Sequence, residues 1–166
     1  EDLGTVPDEV RLSMAERRIS RLFVLQYEPT PEPGDSIAPP ADSVASLNTH
    51  DMPTLVGHWR GRDLDTELEL GLITQAQLEQ TQAARREDRA RVERSLEQEG
   101  LLQHPCTETA LLVALLKRLA RSDARCVLVS IDDLLLQIEP QNQPGTGPER
   151  PNWRRNARCQ SAADRS

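Results

Sequence analysis

The sequence predicts an α/β fold, a parallel sheet covered by helices, and three observations carry that prediction. Leu22–Gln26, Val44–Leu47 and Cys126–Ile131 are short, near-continuously apolar runs, the signature of strands covered on both faces. Segments of helical periodicity lie between them, and strands alternating with helices indicate parallel pairing. Turn-forming residues bound the runs. Such a sheet is open or closed into a barrel, and three strands cannot close a barrel by themselves.

The elements follow in order. Pro7 at a first helical position, with Asp8 in the first turn, opens a helix over Val10–Met14 that is expected to run to about Ser20. Leu22–Gln26 is the first strand. Pro29, Pro31, Pro33, Gly34, Pro39 and Pro40 then exclude regular structure and predict a long loop. Val44–Leu47 forms the second strand and ends near His50-Asp51. A helical turn over Thr54–Trp59 stops at Gly61. Thr74 opens a long helix to Glu99, because Gln77 stands three residues on at capping-box spacing, and Gly100 ends it. From Thr107 a further helix presents Leu111, Leu112, Leu115, Leu116 and Leu119 as one wide apolar face. Cys126–Ile131 is the third strand, again expected to be buried.

Composition bounds the function. The 166 residues are 37% hydrophobic and 2% aromatic with 12 prolines, few large anchors for a core that stands alone. A net charge of -7 argues against a nucleic-acid partner, whose phosphates need a basic surface. Arg85, Arg86, Arg89, Arg91 and Arg94 alternate with Glu87, Asp88, Glu93 and Glu97, which reads as a solvated helix face. Cys106, Cys126 and Cys159 are an odd number at wide spacing, fitting reduced thiols in a cytoplasmic protein. No apolar run reaches the length of a membrane span, so no membrane partner is expected. An acidic start without Met suggests a truncated or processed chain.

Chemistry is sought where parallel strands end, because the loops there converge over one edge of the sheet. Asp51 follows a predicted strand, and Glu1 would do so if a strand preceded it; two such carboxylates suggest glycoside chemistry. Asp51 also suits the N-cap of a helix beginning near Pro53, and on spacing alone capping is the favoured reading. His50, beside a carboxylate, suits a sugar hydroxyl or a proton transfer, although a lone His is more often structural. His58 and His104 stand at no ligand spacing to it, and neither a metal nor a cofactor is expected. Asn142–Pro148 is polar and turn-rich, and Asn152-Trp153-Arg154-Arg155 sets an indole among donors. Amides, planar donors and an aromatic face suit carbohydrate, while a loop with a packing Trp is the plainer alternative.

Glu1-Asp2-Leu3-Gly4, Val24-Leu25-Gln26, Thr49-His50-Asp51 and the run from Gln141 to Arg155, in that order, resemble the 4-alpha-glucanotransferases, the amylomaltase or disproportionating-enzyme family of glycoside hydrolases. The likeness extends over nearly all of residues 1–155, and the Asn-x-Pro-Gly and Asn-Trp-x-Arg elements are its most distinctive parts. The resemblance implies the C-terminal portion of a (β/α)8 TIM barrel, incomplete in this chain, with 156–166 an irregular tail. It places the general acid/base on Glu1, the transition-state-stabilising carboxylate on Asp51, a sugar contact on His50, and Asn142 and Pro144 in a substrate-facing loop. The implied partners are maltooligosaccharides and other α-1,4-glucans.

The family's nucleophile is an Asp in an Arg-x-Asp-His-type motif before Glu-Asp-Leu-Gly, and this sequence has no counterpart. Retaining transfer needs one carboxylate to form the glycosyl-enzyme and another to protonate the leaving oxygen. Residues 1–166 alone are therefore expected to be inactive. An amylase-like hydrolase and a non-catalytic glucan-binding remnant are the alternatives, with a helical interaction module over Thr74–Leu119 a weaker third.

Overall fold

The structure is a computed structural model that describes residues 2–28, 38–150 and 152–156. Among the described residues, three strands form one sheet in the order β1-β2-β3: β1 Arg21–Val24, β2 Ser43–Ser46 and β3 Cys126–Leu128. Both pairings are parallel, with Leu22 opposite Val44 and Val44 opposite Cys126. Among the same residues six α-helices accompany them: α1 Asp8–Glu16, α2 Leu55–Arg60, α3 Arg62–Glu69, α4 Gln75–Gln98, α5 Glu108–Ala120 and α6 Ile131–Leu134. The α/β class with a small parallel sheet therefore stands as the sequence predicts.

Local signals set several starts. The Thr74 hydroxyl accepts from Gln77 N while the Gln77 side chain accepts from Thr74 N, a complete capping box that satisfies two backbone donors at the head of α4. Thr107 caps α5 by accepting from Ala110 N at 3.1 Å. Gly61 and Gly100, at φ 75° and 70°, close α2 and α4 in the left-handed conformation that costs glycine nothing.

Elsewhere the structure corrects the sequence reading. α1 stops at Glu16 rather than Ser20, because Arg18 turns left-handed at φ 55° and Ile19 N donates back to Met14 O at 2.9 Å. β1 ends at Val24 and continues as a 3-10 turn over Leu25–Tyr27. The third strand ends at Leu128, since Ser130 accepts from Asp132 N and starts α6. Nor is that strand buried: it lies at the sheet edge among the described residues, and Leu128 is 54% exposed. α3 occupies a stretch in which no element was expected. Most of the proline-rich loop, residues 29–37, lies outside the described residues, as does Cys159.

One core joins sheet and helices. Phe23 of β1, Ala45 of β2 and Leu47 pack in one cluster with Leu55, Leu96, Leu102 and the α5 face Leu111, Leu112, Ala114, Leu115 and Leu119. Gly57 in α2 lets the chain at Ile138 pass close to the helix, since an added Cβ would stand 2.3 Å from Ile138 O.

The arginine-rich face of α4 is not simply solvated. Arg85 has a side chain 15% exposed and grips Asp63 of α3 through both terminal nitrogens, at 2.6 and 3.0 Å, while also donating to His58 O. Arg118 of α5 holds the Glu99 carboxylate through Nε and Nη2 and donates to the Ser95 hydroxyl. Among the described residues no helix is long and apolar enough to cross a membrane.

Candidate functional site

The loop that follows β2 carries Asn48, Thr49, His50 and Asp51, and its shape comes from short local bonds. Met52 N donates to Thr49 O at 3.2 Å and Asp51 N donates to the Thr49 hydroxyl at 3.3 Å, which together turn the chain tightly. Helix α2 then starts at Leu55. Its cap is Thr54, whose hydroxyl accepts from Gly57 N at 3.0 Å and donates to Gln137 O at 2.6 Å. The next amide, Leu55 N, donates to the Asp133 carboxylate at 2.7 Å. Asp51 therefore does not cap α2, which overturns the reading that spacing alone favoured.

Released from capping, Asp51 faces two other groups. Its Oδ1 accepts from Asn142 Nδ2 at 2.6 Å, and its Oδ2 lies 3.4 Å from His50 Nε2. The carboxylate remains 47% exposed and the imidazole 59%, so both have room for a ligand. The His50 ring stands 5.7 Å from the ring of Trp153 at a tilt of 44°. Trp153 is left-handed at φ 59° and 62% exposed, its amide donating to Gln141 O at 2.8 Å. An indole held outward by its backbone offers a flat apolar face beside polar groups.

The loop from Gln141 to Trp153 is braced internally, which is what lets Asn142 hold a fixed position. Gln143 N donates to Asn152 Oδ1, and Asn152 Nδ2 donates to the Thr146 hydroxyl at 2.8 Å. That hydroxyl donates in turn to Gln143 O at 2.7 Å. Arg150 donates to the Gln143 side chain and, at 3.0 Å, to Thr66 of α3. Two hollows flank Asp51 and His50. One of about 430 Å³ is lined by Leu22, Ser46, Asn48, His50, Leu128 and Trp153, at the strand ends. The other, about 320 Å³, is lined by Asp51, Asn142, Pro144, Thr66 and Arg150.

Of the residues singled out from the sequence, His50, Asp51 and Asn142 thus meet directly, and Pro144 lines a hollow with two of them. Glu1 lies outside the described residues. Its neighbour Asp2 is buried and accepts from Leu22 N at 2.6 Å, laying that segment against β1. Sequence reasoning missed Asp133, which is 1% exposed and takes Asn48 Nδ2 at 2.9 Å besides Leu55 N. Burial pushes the Asp133 carboxyl up, against the pull of those two donors. No local pattern marks it, since its partners lie 78 and 85 residues away.

A family model described as 4-alpha-glucanotransferase matches residues 1–161. The 4-alpha-glucanotransferase of Haemophilus influenzae is 35% identical over 162 residues, covering 92% of this chain and 23% of that protein. The 4-alpha-glucanotransferase of Mycobacterium tuberculosis is 36% identical over 166 residues, covering 93% of this chain and 22% of that protein. The chain thus spans about a quarter of the length of these relatives. In fold it is similar to the amylomaltase of Corynebacterium glutamicum, with a TM-score of 0.79 at 24% identity over 92% of this chain and 23% of the other. It is also similar to the amylomaltase of Streptococcus agalactiae in complex with acarbose, with a TM-score of 0.63 at 17% identity over 94% of this chain and 27% of the other. With a family model matched along almost its whole length and relatives at such identity, the chain belongs to the 4-alpha-glucanotransferase family of glycoside hydrolases.

Proposed function

We propose that residues 1–155 are the C-terminal part of the catalytic barrel of a 4-alpha-glucanotransferase, with 156–166 an irregular tail. The protein moves segments of α-1,4-glucan to the 4-hydroxyl of an acceptor glucan or glucose by retaining double displacement. One observation supports this reading above others: Asp51 is excused from helix capping and held by Asn142, half exposed, beside His50 and Trp153.

In this reading the donor glucan lies across the strand ends. Asp51 accepts hydrogen bonds from ring hydroxyls and supports positive charge on the oxocarbenium-like transition state, while His50 contacts sugar. Asn142 orients Asp51, and Pro144 shapes the loop on the substrate side. Glu1 protonates the leaving oxygen and later takes the proton of the acceptor hydroxyl. The nucleophilic carboxylate comes from a segment other than residues 1–166, so these residues alone turn nothing over.

The test uses the intact protein containing residues 1–166, incubated with maltotriose. Transfer yields glucose together with maltooligosaccharides longer than the substrate, whereas a hydrolase yields glucose without them. Asp51→Asn is expected to lower kcat by about 10²-fold or more, with KM close to wild type, the pattern of a group that acts in the transition state. Full transfer in that variant would remove Asp51 from the mechanism, and full transfer in Glu1→Gln would remove Glu1.

A further inference from the structure

The loop carrying His50 and Asp51 is pinned at both ends by one carboxylate. Asp133 Oδ2 takes Asn48 Nδ2 at 2.9 Å where the loop leaves Leu47, and Asp133 Oδ1 takes Leu55 N at 2.7 Å where the loop enters α2. Only six residues separate these two points. Within them Thr49 bonds locally to Asp51 and Met52, Asn142 holds Asp51 from outside, and Thr54 donates to Gln137 O. Without the carboxylate, Asn48 Nδ2 would keep only Pro53 O at 3.4 Å, and Leu55 N would be a buried donor with no acceptor.

The Asp133 carboxylate is itself well placed to act as a fixed post. It sits in the first turn of α6, which Ser130 starts, and Thr54 ties the same region to the loop by donating to Gln137 O. Burying a charge in such a place is poor economy for stability alone, since an apolar side chain of similar volume often serves as well. A carboxylate offers what no apolar residue and no amide can, two acceptors aimed at two donors. An Asn at this position would keep an acceptor for Leu55 N but face Asn48 Nδ2 with its own amide, so it holds the loop only when the Asn48 amide turns over and gives up Pro53 O.

We propose that Asp133 is a positioning residue of the transfer reaction, which clamps Asn48 and Leu55 and thereby sets where Asp51 and His50 meet the sugar. The proposal rests on the reading of Asp51 given under the proposed function. Asp133 does not touch substrate. It acts through the backbone path from Asn48 to Leu55, so its removal misplaces a catalytic carboxylate without removing any reacting group.

The test compares Asp133→Leu with Asp133→Asn in the intact protein. Leu keeps the volume and removes both acceptors, whereas the Asn oxygen can still take Leu55 N and its amide can donate to Asn48 Oδ1 once the Asn48 amide turns over. Hydrogen exchange of residues 48–55 is expected to rise about tenfold or more in Asp133→Leu while α4 and α5 keep their protection. In the same variant, kcat for maltotriose transfer is expected to fall about tenfold or more with KM within about twofold, and Asp133→Asn should recover most of both losses. Unchanged exchange at 48–55 in Asp133→Leu would overturn the clamp. Exchange that recovers in Asp133→Asn without recovery of kcat would overturn the link to catalysis. A wild-type protein that makes no longer oligosaccharides would remove the reaction itself, and the exchange data would then show separately whether Asp133 holds the loop.

Discussion

Asp51 and Thr54 stand three residues apart in front of the same helix, and either type makes a good N-cap. Thr54 takes the position because its hydroxyl can serve Gly57 N and Gln137 O together, and Asp51 is left to face Asn142. Sequence preference ranks the residue types but cannot see the second partner. His58 shows the same limit. It is mostly buried, with Arg85 donating to its carbonyl and its ring edge-on to Trp59 at 4.9 Å. Burial first, and then the Arg85 charge, lower its pKa from 6.5 to about 4. Since the folded state binds this proton less readily than the unfolded state, the contribution is intact above pH 6.5 and is lost as pH falls toward 4. The full loss is at most roughly 3 kcal/mol. Denaturant melts at pH 7 and pH 4.5 should therefore show acid destabilisation that is smaller in His58→Gln; an equal drop in both proteins would place the acid sensitivity elsewhere.

At the scale of elements, the starts of α4 and α5 were readable, those of α3 and α6 were not, and several ends were not. Thr74 with Gln77, and Thr107, act on amides three residues away, so their spacing is visible in the sequence. Gly61 and Gly100 mark ends by residue type. α1 and α6 close in the same left-handed manner through Arg18 and Leu136, at φ 55° and 53°, residues whose type gives no such warning. Ion pairs between elements divide in a similar way. Arg85–Asp63 joins α4 to α3 with side chains 15% and 21% exposed, whereas Arg60–Glu108 joins α2 to α5 with side chains 52% and 27% exposed. The first is shielded from water and the second is largely screened. Arg85→Ala is expected to cost about 2–4 kcal/mol, since it strands the Asp63 carboxylate, while Arg60→Ala costs about 1 kcal/mol or less. Equal losses in chemical denaturation would contradict this ranking.

For the molecule as a whole, one cluster carries the load that few aromatic residues leave to leucines. Leu96 of α4 is fully buried in the cluster it shares with Leu102 and the leucines of α5. Leu96→Ala should destabilise by about 2–5 kcal/mol, and a single transition seen by both helix content and Trp fluorescence should shift as one unit. Separate transitions for α4 and the sheet would show that they do not share a core. The same packing fixes the site, because the core sets β2 beside β3 and so brings the loop after β2 against the segments that follow β3.

What the sequence by itself determined was the α/β class, the alternation that makes the sheet parallel, the capped starts of α4 and α5, and the ordered motifs of the family. Each rests on periodicity or on residues a few positions apart, where chain geometry alone brings the partners together. The tertiary structure decided which residue caps α2, that Arg85 is drawn in against Asp63, that β3 is exposed at an edge, and that Asp133 holds the loop of Asp51. Those outcomes depend on partners as far apart as Asp51 and Asn142, 91 residues along the chain, and only packing determines which distant donor reaches which acceptor.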